Sequence, residues 1–270
     1  MPHPHPVISY ALALACLSTS CSRQPQAETP IGNDLNSVLW VQTAAEYRAL
    51  CEQTFAAATA ALKLALADRS WSAALEQTGA SAEARPPAVI CDVDETLLDN
   101  SAYNARLLAH GKGEGFSLDT WNAWVEERRA LPVPGAKAFL KACRELGVTV
   151  FYVTNRGSEV EAATRDNLRS VGFPLEEFDT LLTRNDIDEA GSEKSPRRTH
   201  VANTHRILLL LGDDLGDFVP NSRKASRKER AELTEQHRDQ FGTRWFMLPN
   251  PIYGSWLSAL GDGLRGTLRR

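Results

Sequence analysis

The chain predicts a doubly wound α/β domain: a parallel sheet with helices on both faces and a small, mainly helical cap. Three observations carry that expectation. The apolar runs AVICD (88–92), VTVFYVT (148–154), DTLLT (179–183), RILLLLGD (206–213) and RWFML (244–248) are continuous rather than alternating, as in strands buried on both faces. Helix-forming stretches at 134–146, 157–171 and 217–240 separate them, the rhythm of parallel crossover units. Acidic and polar residues stand where the runs end, the edge along which such sheets bind ligands.

Taken in order, the chain begins with an uncharged run, Val7 to Leu17, followed by STSCSRQPQAETP. That run is too short to span a bilayer and has the length of an export-signal core. Residues 1–21 are therefore expected to be a lipoprotein-like signal, although the leader MPHPHP lacks Lys and Arg. Both Ala-Leu-Ala-Cys16 and Ser-Thr-Ser-Cys21 resemble a small-residue lipidation site. Cys21 is preferred, because the apolar run is then complete and a polar tether, 22–38, follows directly. A plainly cleaved signal, or a buried apolar amino terminus, is the alternative. Cys51, Cys91 and Cys143 remain, an odd number without the close spacing of a zinc site or disulfide framework.

Residues 39–85 form an amino-terminal helical segment. Trp40 to Asp68 is rich in Ala and Leu without Pro or Gly and reads as one long helix; a short second helix is expected over 70–78. The core then runs from 86 to 260. From Asp92 to Thr154 the interval is about twice the ~30 residues of one crossover unit, so roughly 100–131 is an insertion, a cap carrying Tyr103, Phe116, Trp121 and Trp124. The composition, 270 residues with 43% hydrophobic and 24% charged, suits one globular domain. With 30 basic against 34 acidic residues the net charge is −4, which argues against nucleic acid or an anionic membrane surface as partner. The basic stretch 223–230 reads as a solvated helix face.

The chemistry concentrates in strand-end motifs. In CDVDET, Asp92 is the first charge after a buried strand and Asp94 lies two residues on. One carboxylate can attack phosphorus to form an aspartyl-phosphate; the other can protonate the leaving oxygen and then activate water. Carboxylates crowded against phosphate call for a divalent cation, and oxygen ligands favour Mg²⁺. An Asx turn with Asp94 and Thr96 as caps is the plainer alternative. GDDLGD supplies Asp213 as a metal ligand, with Asp214 or Asp217 as support from the second layer. Thr154 and Asn155 can hold the non-transferring phosphate oxygens. Lys194 is the favoured charge partner of nucleophile and phosphate, with Arg197 and Arg198 as competitors. Tyr253, with Tyr103 and Trp121 or Trp124 from the cap, would line an aromatic slot for a planar group such as a nucleobase.

The strings DVDET, VTN, the loop lysine and GDDLGD, in this order, resemble the haloacid dehalogenase superfamily. The longer strings DVDETLLDNSAY, FYVTNRG, SEKSPRR, GDDLGDF and LPNPIYGSW resemble its class C non-specific acid phosphatases, bacterial lipoproteins that include the outer-membrane 5′-nucleotidase type. The resemblance covers about residues 35–260. It implies Mg²⁺-dependent hydrolysis of phosphomonoesters at acid pH, nucleoside monophosphates among them. By position, Asp92 is then the nucleophile and Asp94 the acid/base, while Asp92, the Asp94 main-chain carbonyl and Asp213 hold the metal, with Asp217 in support. It implies an exported protein, in the outer membrane or periplasm, touching membrane only through a lipid anchor; self-association into a homo-oligomer is compatible with it. Gly216, where an acidic residue is common, and Ser255 depart from the pattern. Two other readings stay open: a phosphoprotein phosphatase with the same chemistry, and a surface lipoprotein that only binds a ligand.

Overall fold

The computed structural model describes Met1 and residues 35–77, 83–110, 116–175, 180–184, 186–187 and 191–261. The expected signal, Cys16, Cys21 and the tether up to residue 34 lie outside the described residues. The described residues between 35 and 261 form one compact unit.

The sheet is parallel, with strands β1 (Pro87–Cys91), β4 (Thr149–Gly157), β5 (Leu181–Arg184), β6 (Arg206–Gly212) and β7 (Trp245–Met247) in the order β5-β4-β1-β6-β7. Successive residues point into opposite cores. Val89, Cys91, Val150, Tyr152, Leu209 and Leu211 join one cluster, while Ala88, Ile90, Phe151, Val153 and Leu210 join the other. Both faces being covered explains the unbroken apolar runs.

The first face is covered by α2 (Ala45–Ala67), α5 (Ala136–Glu145) and α6 (Glu161–Ser170), with α1 (Leu35–Thr43) joining the same apolar cluster beside α2. The second is covered by α7 (Ser195–Thr204), with Leu233 of α8 (Arg227–Gln236) packed at its margin. Helices α2 and α5 meet through Phe55 and Phe139, whose ring centroids are 5.7 Å apart. Gly135 permits this approach: at its φ of +89° a side chain is strained, and a Cβ would lie 3.0 Å from the Phe55 ring.

Several expected elements differ. The helix expected from Trp40 to Asp68 starts at Leu35, inside the expected tether, and breaks at Ala44, where the backbone turns extended (φ −77°, ψ 130°). The two halves serve different neighbours, α1 the cap through Gln42 to Ser101 at 3.2 Å and α2 the sheet face with α5. No Gly or Pro marks the break, because tertiary packing causes it.

The segment 70–77 is not helical. It lies as a strap against the start of β6, and its polar groups are used there. Between Ala88–Ile207 and Val89–Leu209 the β1–β6 register shifts, leaving Leu208 as an extra residue; the Trp71 indole donates to the freed Leu208 carbonyl at 2.8 Å. Gln77 accepts the Ile207 N–H at 3.0 Å and donates to the His205 carbonyl at 2.7 Å. The helix expected over 217–240 shrinks to α8, since Pro220 and the left-handed Asn221 (φ 60°) interrupt it and Ser226 with Glu229 forms a new capping box.

The cap is the insertion expected at 100–131. It rises from the two-stranded ribbon of β2 (Leu98–Asp99) and β3 (Leu131–Pro132) and contains α3 (Ser101–His110) and α4 (Leu118–Glu126). A short α9 (Ser255–Ser258) follows the last strand. Among the described residues no helix is long and apolar enough to cross a membrane.

Candidate active site

At the tip of β1 the chain makes a tight loop. Leu97 and Leu98 N–H both donate to the Val93 carbonyl, at 2.9 and 2.8 Å, and Glu95 adopts a left-handed conformation (φ 56°). This presents Asp92 at the carboxyl edge of the sheet while its own N–H stays bonded to Leu211 O at 2.9 Å. Asp92 is buried and receives the Lys194 ammonium, which also donates to Asp217 Oδ1 at 2.6 Å. Thr96 Oγ1 reaches Asp92 Oδ2 at 3.3 Å and Asp213 Oδ1 at 3.5 Å.

Asp92, Asp213 and Asp217 each present one carboxylate oxygen, all within 4.8 Å of one another. Burial is the main force raising Asp92 to about 6; Asp217 and Asp94 add to it and Lys194 opposes it. Asp213 is pushed well above the carboxylate range by burial, then by Asp92 and Asp217, with the Asn250 amide opposing at 2.7 Å. Burial works to lower the Lys194 ammonium, but Asp217 and Asp92 outweigh it and hold it above its usual value. Three hard oxygen donors at this spacing are a donor set that suits a divalent cation. Asp217 thus stands inside the cluster rather than behind it, because the turn Leu215–Asp217 folds back over the end of β6: a Cβ on Gly212 would lie 2.3 Å from Asp217 Oδ2. The carboxylate packs over the glycine, and its Oδ2 accepts the Asp214 N–H at 2.9 Å.

Asp94 lies outside that cluster. Arg156 grips it, Nη2 at 2.7 Å and Nε at 3.0 Å from Oδ1, and Asn100 Nδ2 donates at 2.9 Å. Thr154 was expected to touch phosphate. It is fully buried, donating to Asp94 Oδ2 at 3.4 Å and accepting the Arg156 N–H at 3.1 Å. Thr154 follows the last regular pairs of β4, Tyr152 with Cys91 and Val153 with Leu182, and its hydroxyl is taken up by Asp94. Asn155 lines the cavity, but its amide is engaged, donating to Ser192 O at 3.2 Å and accepting from Arg197 at 2.7 Å.

The three candidate cations separate clearly. Lys194, at the residue before α7, faces the nucleophile. Arg197 braces the Thr154 carbonyl and Asn155, and Arg198 donates to the Gly216 and Asp217 carbonyls at 3.1 and 3.0 Å while pairing with Glu76 at 2.7 Å. Helix α7 itself, begun by Pro196, was hidden by its polar sequence.

Above these groups is a cavity of about 570 Å³. Tyr103, Phe116 and Trp121 of the cap and Tyr253 of the carboxy-terminal loop line it. Tyr103 and Trp121 pack edge to face at 5.1 Å. The Tyr253 hydroxyl donates to Glu95, a carboxyl raised to about 8 by burial and by Asp94. Trp124, expected in the slot, is buried instead, because its indole N–H donates to Asn100 Oδ1 at 2.9 Å beneath the cavity. Arg223, read as a solvated helix charge, also lines the cavity and lies 3.6 Å from Asp214. Asp214 in turn ties down the last loop, accepting both the N–H and the hydroxyl of Ser255 at 2.7 Å.

Sequence reading missed Arg156, Asn100, Thr96 and Asn250. Arg156 could have been found as the first charge after the apolar run 148–154; the others carry no local signal.

With this geometry the comparisons agree. Residues 11–256 match the profile of HAD superfamily, subfamily IIIB (acid phosphatase). A class C acid phosphatase from Bacillus anthracis superposes with a TM-score of 0.76 at 32% identity, covering 88% of this chain and 97% of that one. The structure of the Bacillus anthracis enzyme with tungstate bound gives the same values. Vegetative storage protein 1 of Arabidopsis thaliana is 23% identical over 169 residues, 61% of this chain; the chain spans about half, 54%, of that relative. The chain belongs to the acid phosphatases of the haloacid dehalogenase superfamily, subfamily IIIB. Its fold and its enzyme class, a phosphomonoester hydrolase, follow from that membership.

Proposed function

We propose that the chain hydrolyses phosphomonoesters through an aspartyl-phosphate on Asp92, with Mg²⁺ as cofactor and nucleoside monophosphates among its substrates. The observation that carries this reading is Asp92 itself: a buried carboxylate at a strand tip, facing Lys194, within 4.8 Å of Asp213 and Asp217. In the first step an Asp92 oxygen bonds to phosphorus, the phosphorus–oxygen bond to the leaving group breaks, and Asp94 gives that oxygen a proton. In the second, water attacks phosphorus, Asp94 takes its proton, and the acyl phosphate breaks to free Asp92 and inorganic phosphate. Lys194 holds Asp92 and offsets charge beside the phosphoryl group. Arg156 orients Asp94 throughout, with Thr154 and Asn100 behind it.

Asp92, Asp213 and Asp217 would hold the Mg²⁺, which when bound offsets the charge of carboxylates and phosphate. Nucleotide preference is supported by the aromatic lining of Tyr103, Trp121 and Tyr253, faces suited to a planar base. Export is inferred from the uncharged run Val7–Leu17, with Cys21 as the proposed lipid site.

The decisive experiment is phosphate release from nucleoside monophosphates, sugar phosphates and phosphopeptides, with Mg²⁺ and with EDTA, by wild type and Asp92→Asn. The expected result is Mg²⁺-dependent release, fastest from a nucleotide, and none by the folded variant. Full activity in Asp92→Asn overturns the mechanism; a phosphopeptide far outrunning nucleotides overturns the substrate. For export, palmitate labelling should be lost in Cys21→Ala.

A further inference from the structure

Of the cations lining the cavity, all but one have a carboxylate partner. Lys194 lies between Asp92 and Asp217, Arg156 holds Asp94 at 2.7 Å, and Arg223 reaches Asp214 at 3.6 Å. Arg184, the last residue of β5, lines the same cavity. Among the described residues it makes no hydrogen bond and has no carboxylate within 4.0 Å. It acts only at longer range on Glu159, whose carboxyl is held low first by its own backbone N–H, then by Asn122 at 3.0 Å, with Arg184 adding to them.

Its place in the sheet says what it could bind. Arg184 pairs in register with Gly157 of β4, and β4 lies beside β1. Two strand spacings separate it from Asp92, about 10 Å across the sheet. A group bound at Arg184 is therefore remote from the phosphorus that Asp92 would attack, yet within one cavity. On the neighbouring wall the Asn155 amide is already engaged, with Ser192 and Arg197. Among the described residues, then, Arg184 presents a guanidinium with no hydrogen-bond or ion-pair partner at a cavity wall, a group that matches the paired oxygens of a phosphate.

We propose that Arg184 forms a second-anion subsite, making the preferred substrates phosphomonoesters that carry a second phosphate several bonds away, such as a nucleoside 3′,5′-bisphosphate. The proposal rests on the phosphatase reading of the Asp92 cluster and names its substrate class.

The test compares kcat/KM for adenosine 3′,5′-bisphosphate with that for AMP, in wild type, Arg184→Gln and Arg184→Lys. Wild type should favour the bisphosphate, and Arg184→Gln should lower the ratio about tenfold, the worth of one charge-assisted hydrogen bond. Arg184→Lys should recover part of it, and the wild-type preference should shrink as salt is raised. An unchanged ratio in Arg184→Gln, with AMP turned over by both proteins, overturns the subsite. Release from neither substrate by wild type would instead overturn the phosphatase reading.

Discussion

A Gly212→Ala substitution adds one carbon at the tip of β6, and the structure fixes where that carbon goes. It would lie 2.3 Å from Asp217 Oδ2 and 2.4 Å from Asp217 Cβ, where ordinary contact begins at 3.4 Å. Asp217 must therefore retreat by about 1 Å, away from Lys194 at 2.6 Å and the Asp214 N–H at 2.9 Å. A misplacement of that size costs on the order of 10² in rate. Loss of a well-placed metal-site carboxylate should raise the Mg²⁺ concentration needed for half activity roughly 10- to 100-fold. Overpacking costs about 1–3 kcal/mol of stability, and the smaller unfolded-state entropy of alanine offsets about 0.4–1 of that. Phosphate release across a Mg²⁺ titration, beside thermal unfolding, separates the two effects. A variant within threefold of wild-type kcat/KM, with unchanged Mg²⁺ dependence, would refute the idea that this carboxylate must sit over a bare backbone.

Three further outcomes are expected. Arg198→Met should destabilise the protein by about 3–5 kcal/mol, because Glu76 is left buried and unpaired. The double variant with Glu76→Gln should recover much of that loss in a denaturant titration. Trp124→Phe removes the hydrogen bond that holds Asn100 and should lower kcat three- to tenfold with KM unchanged, whereas Trp121→Ala should raise KM for nucleotides. Asp92 is raised in the folded protein from 3.8 to about 6, so the native state binds its proton more tightly than the unfolded chain. Its contribution is fully present below pH 3.8 and is lost as pH rises through 6, about 3 kcal/mol in all. Stability of metal-free wild type should therefore fall across that window relative to Asp92→Asn, and equal slopes would count against the raised value.

What could be read from the sequence was whatever depends on local pattern. Unbroken apolar runs marked the sheet, and the first acids after β1 and β6 marked Asp92, Asp94 and Asp213. What stayed hidden depends on partners distant along the chain. Arg198 resembled a phosphate ligand until Glu76, 122 positions earlier, appeared beside it. Trp121 and Trp124 share nearly one face of α4, and only the seating of that helix turns the first into the cavity and the second onto Asn100. The break at Ala44 has no composition signal, and the different neighbours of its two halves, α3 for α1 and α5 for α2, lie far along the chain. The end of β4 was placed three residues early, a boundary that pattern alone does not resolve.

The strap between α2 and β1 bears on where a working fragment of this enzyme can begin. Glu76 anchors the arginine that supports the Asp217 turn, while Trp71 and Gln77 satisfy β6 from outside the sheet. A fragment starting at Pro86 would keep every side chain that faces the cavity and lose the anchor of the arginine behind Asp217. In evolutionary and engineering terms the amino-terminal helices are therefore not an appendage that can be exchanged freely. Any chimaera that grafts this catalytic sheet onto another leader must carry the strap with it.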